Sequence, residues 1–146
     1  MLIGFTKSQF IPIIAYQPLF RNIMFEIEKI YTFDAGHILK HHQGLCSKPH
    51  GHTYVLKVRL RTHALKTAGS ETNMVLDYTE ISKIVKPMIT EYFDHQWLND
   101  SLQTDSPTAE FIAHWVYQYL FPLLPHLYSV TICETPTSVA TYTGNP

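Results

Sequence analysis

The feature that most constrains the fold is an alternating stretch over residues 52–62, which predicts a β-strand buried on one face. Apolar side chains stand at every second position, and charged ones lie between them. The apolar set is Tyr54, Leu56, Val58 and Leu60, and the charged set is Lys57, Arg59 and Arg61. Because successive side chains of a strand point to opposite faces, this pattern requires a sheet with one covered face and one open face.

Three further strands are predicted from runs of β-branched and aromatic residues. Residues 24–33 form the first of them, and residues 128–134 and 138–142 form the last two. Residues 34–49, which separate the first strand from the alternating one, are rich in turn residues and are predicted to be a loop.

Two helices are predicted between the second and third strands. Asp77 is suited to cap the first, with Glu80 completing a capping box, and Pro87 predicts a kink or a break within it. Ser106 as N-cap and Pro107 at the first helical position begin the second helix. The order ββααββ predicts an α+β domain, in which both helices pack on one face of a four-stranded antiparallel sheet.

Composition and charge bound the class of protein. With 146 residues the chain has the length of a single domain, and its 45% apolar content excludes a disordered chain. The net charge of −1 offers no basic field for a phosphate backbone, so nucleic-acid binding is not expected. Only 16% of residues are charged whereas 13% are aromatic, which predicts that identical subunits cover part of the surface.

The N-terminal residues 1–23 are interpreted as an extension of unknown role, followed by one domain over residues 24–146. The longest apolar stretch of the extension, Phe10–Tyr16, is too short to span a bilayer, and the segment lacks the pattern of a secretory signal. Met24 is a candidate for the true start of the chain. With two cysteines, a reducing cytoplasmic setting is expected, and a single structural disulfide is the alternative. No attachment to a membrane is expected.

The segment His50-Gly51-His52, at the start of the alternating strand, is the most informative one for chemistry. Strand alternation points both imidazoles to one face, and His37 is expected to approach from the neighbouring first strand. Three imidazoles on one face are a common way to hold Zn²⁺, so His37, His50 and His52 are the predicted metal site. Loop histidines that bind no metal are the alternative.

Cys46, which lies shortly before this segment, allows two interpretations. As a fourth ligand it would close a Cys-His₃ site, and the zinc would be structural. As a free thiolate beside an open three-histidine site it would act as a base or nucleophile, with the metal polarising a substrate oxygen. The spacing does not decide between them.

Two other segments carry titratable groups. Asp94 and His95 follow the first helix and form a candidate proton-transfer pair. Glu134, at the end of a strand, is a carboxylate able to accept two N–H donors from a ligand. Taken alone, the pair is more simply explained by a solvated helix end and Glu134 by a surface glutamate.

Several segments, in order along residues 24–143, resemble those of the 6-pyruvoyl-tetrahydropterin synthase and QueD family. They are Phe33–His37 (FDAGH), Cys46–His52 (CSKPHGH), Val75–Tyr78, Asp94–Asn99 (DHQWLN), Pro107–Glu110 (PTAE), and Glu134–Thr135 with the later Tyr142. The resemblance implies the tunnelling fold, in which subunits join their sheets into a barrel, usually as trimers stacked into hexamers.

The resemblance also implies roles for single residues. Zn²⁺ would be bound by the three histidines, Cys46 would be the general base, and Asp94 and His95 would relay protons. Glu134 would act in catalysis by anchoring the pterin ring of the substrate. The PTAE segment contributes two candidate substrate-binding residues, which are Thr108 and Glu110.

Within the family, the spacing between Cys46 and His50 resembles that of the QueD-like members. Those members convert 7,8-dihydroneopterin triphosphate to 6-carboxy-5,6,7,8-tetrahydropterin, acetaldehyde and triphosphate, on the route to queuosine. The alternatives are a 6-pyruvoyl-tetrahydropterin synthase, which eliminates triphosphate and keeps the side-chain carbons, and a non-catalytic module with structural zinc. Gly36 stands where the family commonly has alanine, a difference expected to loosen the residue before His37.

Overall fold

The computed structural model of the protein describes residues 24–144, in which four strands, three helices and a 3₁₀ turn follow one another. They are β1 (Phe25–His37), the turn Leu45–Ser47, β2 (His50–Thr62), α1 (Tyr78–Tyr92), α2 (Leu98–Ser101), α3 (Ala109–Leu120), β3 (Leu127–Thr135) and β4 (Ser138–Thr143). The extension over residues 1–23, and with it the question of a start at Met24, lies outside the described residues. No helix within residues 24–144 is long and apolar enough to cross a membrane.

The strands form one antiparallel sheet in the order β1-β2-β3-β4, so the predicted ββααββ arrangement is confirmed. The first strand is longer than predicted, because β1 continues beyond Phe33 to His37. The prediction of a loop from residue 34 is therefore wrong at its start. The extra ladder places Gly36 opposite Gly51 and His37 opposite His50, so the ends of both strands lie side by side.

The core lies between the sheet and the helices. The apolar face of β2 is fully buried, and it meets one face of α1 and one of α3. The buried side chains are Tyr54, Leu56, Val58 and Leu60 from β2, Ile81, Val85 and Met88 from α1, and Ile112, Val116 and Leu120 from α3. Each large apolar side chain buried in this way stabilises the fold by about 1.5–3 kcal/mol. The one-sided burial predicted from the alternation is confirmed.

The opposite face of the sheet carries the charged side chains that alternate with the buried ones. Arg59 donates to Glu28 at 2.5 Å, and Arg61 is paired with Glu26 across the same two strands. The Arg61 guanidinium also lies 3.5 Å from the ring centre of Tyr128. These cross-strand pairs fix the register of β1 on β2 from the open side.

The residues that cap the helix N-termini agree with the sequence predictions only in part. Asp77 caps α1 as predicted, with its carboxylate accepting the Thr79 N–H at 2.6 Å, whereas the Glu80 carboxylate accepts from Lys83. The prediction of Ser106 as the cap of the second helix is wrong. Thr108 caps α3, because its hydroxyl oxygen reaches the N–H of Phe111, at the third helical position.

Helix α1 runs through Pro87 without a break, so the predicted break is wrong, whereas a kink at this position stays a prediction. The helix continues to Tyr92 with the proline on its exposed side. Buried contacts of Val85 and Met88 on either side of the proline hold the helix against the core. This packing outweighs the loss of one helical hydrogen bond, which costs about 3 kcal/mol in an unsupported helix.

The substitution Pro87→Ala is expected to stabilise the protein. Alanine restores an N–H donor inside α1 and has the highest helix propensity, and the more flexible unfolded chain offsets only part of this gain. We expect the free energy of unfolding to rise by about 1–2 kcal/mol. Urea denaturation at fixed protein concentration measures it, with Lys86→Ala on the same exposed turn as the control. A change no larger than that of the control would contradict this account.

Candidate active site

The pairing of β1 with β2 brings the three predicted metal ligands together. His37 ends β1 directly opposite His50, and His52 follows two positions along β2 on the same face. Their ligand nitrogens all lie within 4.8 Å of one another, which is close enough for a single ion. His37 is almost completely buried, with 1% of its surface exposed, whereas His50 and His52 are half-buried.

Two main-chain carbonyls fix the proton positions of these imidazoles. Nδ1 of His37 lies 3.0 Å from the carbonyl oxygen of Pro107, and Nδ1 of His50 lies 2.7 Å from that of Lys48. Since a carbonyl can only accept, each Nδ1 carries the proton, and each Nε2 keeps a free electron pair. This is the arrangement that a metal-ligating histidine normally has.

The surroundings of the cluster suit a cation. Burial lowers the pKa of His37, which keeps the imidazole in the neutral state that a metal requires. Nε2 of His52 is buried and has no hydrogen-bond partner among residues 24–144, an arrangement that costs energy unless an ion satisfies the nitrogen. The Glu134 carboxylate lies beside it, with Oε1 at 3.5 Å from Nε2 of His37 and 3.7 Å from Nε2 of His52. The residues present therefore fit a divalent metal ion.

Tyr54 is a member of the site that the sequence did not indicate as more than a core residue. Its hydroxyl is 3.3 Å from Nε2 of His37, and burial strongly raises its pKa, with the negative charges of Glu134 and Cys46 adding to the effect. The hydroxyl therefore stays protonated beside the cluster. Tyr54 occupies one of the apolar positions of the β2 alternation, so the sequence gives no separate indication that its hydroxyl also lies in the site.

Cys46 lies in the 3₁₀ turn beside the site, as a free and half-buried thiol. The turn is tied back by the N–H of Leu39, which donates to the Cys46 carbonyl at 2.8 Å. Among the described residues, the group with mutually close ligand atoms consists of the three histidines and does not include Cys46. This geometry favours an open three-histidine site over a closed Cys-His₃ one.

Asp94 and His95 form a pair just beyond the end of α1. Oδ1 of Asp94 lies 3.1 Å from Nδ1 of His95, and the carboxylate also accepts the N–H of Asp34 at 3.2 Å. That hydrogen bond from Asp34, with a smaller contribution from His95, lowers the pKa of Asp94. The carboxylate is therefore ionised at neutral pH and orients the exposed imidazole next to it.

A surface depression of about 770 Å³ connects the pair to the metal ligands. His50 and His52 line one part of it, and His95 and Trp97 line another. A ligand lying in this depression would therefore contact both His50 and His52 of the cluster and the His95 imidazole.

The PTAE segment reaches the site through its main chain. The Pro107 carbonyl accepts a hydrogen bond from His37. This contact could not be predicted from the sequence, because every residue has a main-chain carbonyl. The Thr108 hydroxyl caps α3, and Glu110 is exposed in the first turn of that helix. A role of Thr108 and Glu110 in binding substrate stays a prediction.

Together, the fold and the site define an α+β protein whose antiparallel sheet presents a three-histidine metal site at the end of two strands. The 6-pyruvoyl tetrahydropterin synthase family matches this chain over residues 26–145. The chain belongs to that family of enzymes, and the resemblance of its motifs is confirmed.

Relatives and solved structures agree with this assignment. The 6-carboxy-5,6,7,8-tetrahydropterin synthase of Synechocystis sp. is 42% identical over 120 residues, which cover 82% of this chain and 93% of the relative. The enzyme of the same name from Haemophilus influenzae is 31% identical over 140 residues, covering 82% and 99%. The structure of Caenorhabditis elegans 6-pyruvoyl tetrahydropterin synthase superposes with a TM-score of 0.71 at 29% identity, covering 84% and 97%. The predicted tunnelling fold is thereby confirmed.

The metal site predicts a specific effect of removing one histidine. We expect the protein to hold one divalent ion per chain, and His52→Ala to lower the affinity by at least about a hundredfold, since losing only an outer partner already costs ~10–100-fold. Atomic emission spectroscopy after dialysis against a metal buffer gives the content. His41→Ala, in the exposed loop outside the cluster, is the control. An unchanged affinity in His52→Ala would show that the metal is held elsewhere.

Proposed function

We propose that the chain is a zinc-dependent lyase that converts 7,8-dihydroneopterin triphosphate to 6-carboxy-5,6,7,8-tetrahydropterin, releasing acetaldehyde and triphosphate and consuming a molecule of water. The observation that carries the proposal is the cluster of three imidazoles, with ligand nitrogens within 4.8 Å of one another. The 42% identity to the 6-carboxy-5,6,7,8-tetrahydropterin synthase of Synechocystis sp. supports this product. The reaction would serve queuosine biosynthesis in the cytoplasm.

The proposed metal is Zn²⁺, held by His37, His50 and His52. Zinc prefers nitrogen ligands of this kind, and three protein ligands leave a position open for substrate. When bound, the ion would polarise the side-chain oxygens of the dihydropterin and make the neighbouring carbons more acidic. The Pro107 and Lys48 carbonyls hold two of the imidazoles for this purpose.

The proton transfers are assigned to Cys46 and to the Asp94–His95 pair. Cys46 lies in the turn whose carbonyl accepts the N–H of Leu39, two residues after His37, and as a thiolate it would take a proton from a side-chain carbon of the substrate. His95, oriented by Asp94 at 3.1 Å, would exchange a proton at the adjacent position from the other part of the depression. Two groups on separate segments can in this way remove and return protons without moving the substrate.

Glu134 is proposed to hold the pterin ring. A pterin presents adjacent N–H donors, and a carboxylate can accept both in a fork. The Glu134 side chain is half-buried at the end of β3, beside His37 and His52, so a ring bound there would place its side chain towards the metal. Thr108 and Glu110 are proposed as further substrate contacts from the start of α3.

The proposed assembly is a homo-oligomer, a trimer or a stacked hexamer, that binds neither nucleic acid nor membranes. Strands β1 and β4 are the edges of the sheet and present unpaired main-chain groups along its sides. Pairing these edges between identical subunits would satisfy those groups and would extend the sheet towards a barrel.

The second candidate is a 6-pyruvoyl-tetrahydropterin synthase, which eliminates triphosphate and keeps all side-chain carbons. The structural likeness to the Caenorhabditis elegans enzyme of that name favours it. Incubating the zinc-loaded protein with 7,8-dihydroneopterin triphosphate distinguishes the two reactions. We expect acetaldehyde in amounts equal to the triphosphate released, measured with a coupled alcohol dehydrogenase. Triphosphate without acetaldehyde would replace the first proposal by the second.

The alternative of a non-catalytic module with structural zinc is tested by substituting the two cysteines one at a time. We expect Cys46→Ala to stay folded and to keep its zinc, while kcat falls by about 10²–10⁴-fold because a proton-transfer group is lost. Cys133→Ala, the matched change at the other free cysteine of the described residues, should keep wild-type kcat. If Cys46→Ala loses zinc and folded structure together, the thiol is a structural ligand and the catalytic assignment is wrong.

A further inference from the structure

The segment that carries the proton-transfer pair is fastened to β1 by its main chain. His95 donates its N–H to the Asp34 carbonyl at 2.6 Å, and Gly36 donates its N–H to the Gln96 carbonyl at 3.1 Å. Gly36 and Trp97 are also paired as a single parallel bridge. The segment therefore runs beside the end of β1 like a very short additional strand.

This attachment continues past the metal ligand at the end of β1. The buried Asn99 side chain accepts the N–H of Ile38 and donates to the Ile38 carbonyl, both at 2.9 Å. The contacts of Gly36 and Ile38 therefore lie on either side of His37 in the sequence. Any shift of the segment relative to β1 changes the position of His95 relative to the metal ligands.

The Trp97 indole occupies the place where residue 36 would carry a side chain. A Cβ atom at Gly36 would stand 3.0 Å from both Cε3 and Cζ3 of Trp97, a contact so tight that the indole would have to move away by a few tenths of an ångström. Gly36 lies within β1 in an extended strand, so glycine is favoured here by the space it leaves for the indole and not by backbone conformation. The indole fills the volume beside Gly36, and the expectation that glycine loosens the residue before His37 stays a prediction.

The backbone of His95 also depends on this attachment. Its φ angle is +59°, in the left-handed region that residues other than glycine adopt uncommonly. The hydrogen bond to Asp34 on one side and the Trp97 bridge on the other hold this conformation. Since Trp97 also begins α2 as its N-cap, a displaced indole would move the chain on both sides of it.

From these contacts we infer that Trp97, seated on Gly36, is a positioning residue that sets the place of the Asp94–His95 pair relative to the metal ligands. The inference rests on the proposed role of that pair in proton transfer. Trp97 acts through His95, because its contact with Gly36 determines the distance between the proton-transfer segment and β1. A misplacement of about 1 Å at a reacting group can cost up to ~10²-fold in rate, so a contact of this kind affects turnover.

The test is a double-mutant cycle between the two residues. Gly36→Ala inserts a methyl group against the indole and forces it to retreat, whereas Trp97→Leu removes the ring atoms that the methyl group would meet. We expect Gly36→Ala alone to lower kcat about tenfold, with KM changed less than about twofold. In the Trp97→Leu background, Gly36→Ala should cause no further loss, because the contact is already absent.

Hydrogen exchange supplies a second readout that does not depend on turnover. The amides of residues 36 and 95 donate the hydrogen bonds that fasten the segment, so their exchange rates measure its attachment. We expect both rates to rise about tenfold or more in Gly36→Ala and in Trp97→Leu, with unchanged metal content. If Gly36→Ala gives no folded protein, the exchange rates of Trp97→Leu decide.

Tyr117→Leu is the control, since Tyr117 is a buried aromatic residue that packs against Phe121 and Tyr142, away from Gly36 and the proton-transfer segment. It should lower the melting temperature and leave kcat and both amides unchanged. The inference is overturned if Gly36→Ala lowers kcat by the same factor in both backgrounds, or if neither amide responds in Trp97→Leu. If the protein does not turn over the pterin, the proposed function fails, while the exchange measurements still decide whether Trp97 positions the segment.

Discussion

The register between β1 and β2 is the constraint on which the rest of the structure depends. It sets His37 opposite His50, and it sets Gly36 opposite Gly51 one position earlier. A slip by one residue would turn every side chain of a strand to the other face, which would separate the histidines and expose the core at the same time. The metal site and the apolar core are thus specified by the same pairing. A substitution that weakens the pairing damages both.

Backbone proximity at the end of these strands is part of that constraint. A Cβ atom at Gly51 would stand 2.9 Å from the Ala35 carbonyl oxygen, so the two strands could not keep their present separation with a larger residue there. The glycine between His50 and His52 therefore has a steric role in addition to spacing the ligands. On β1, Gly36 provides the equivalent room for Trp97.

The sequence predicted those parts of the molecule that periodicity or local chemistry specifies. The alternation of β2, the Asp77 cap and the approach of His37 to the other two histidines follow from rules that act over a few residues. The end of β1 could not be predicted, because residues 34–37 are strand only by pairing with β2. Thr108 replaced Ser106 as a cap because the tertiary position of the Pro107 carbonyl, 3.0 Å from His37, fixes where the helix starts. Contacts between segments that are distant in the chain, such as the contact of Trp97 with Gly36, cannot be predicted from the sequence of either segment alone.

The site has a buried part, in which hydrogen bonds fix the proton positions, and an exposed part, which carries the His95 imidazole. In the buried part, carbonyl acceptors hold the protons of His37 and His50 on Nδ1, and burial keeps the Tyr54 hydroxyl protonated. These groups offer electron pairs and supply no positive charge, so a cation bound among them is stabilised rather than repelled. In the exposed part, 78% of the His95 side chain is accessible to solvent. An exposed side chain has no packing to fix its position, so the segment that carries it must be held by its main-chain hydrogen bonds. Its hydrogen bonds to Asp34, Gly36 and Ile38, at the end of β1 and just beyond it, are the contacts that attach it to the histidine cluster.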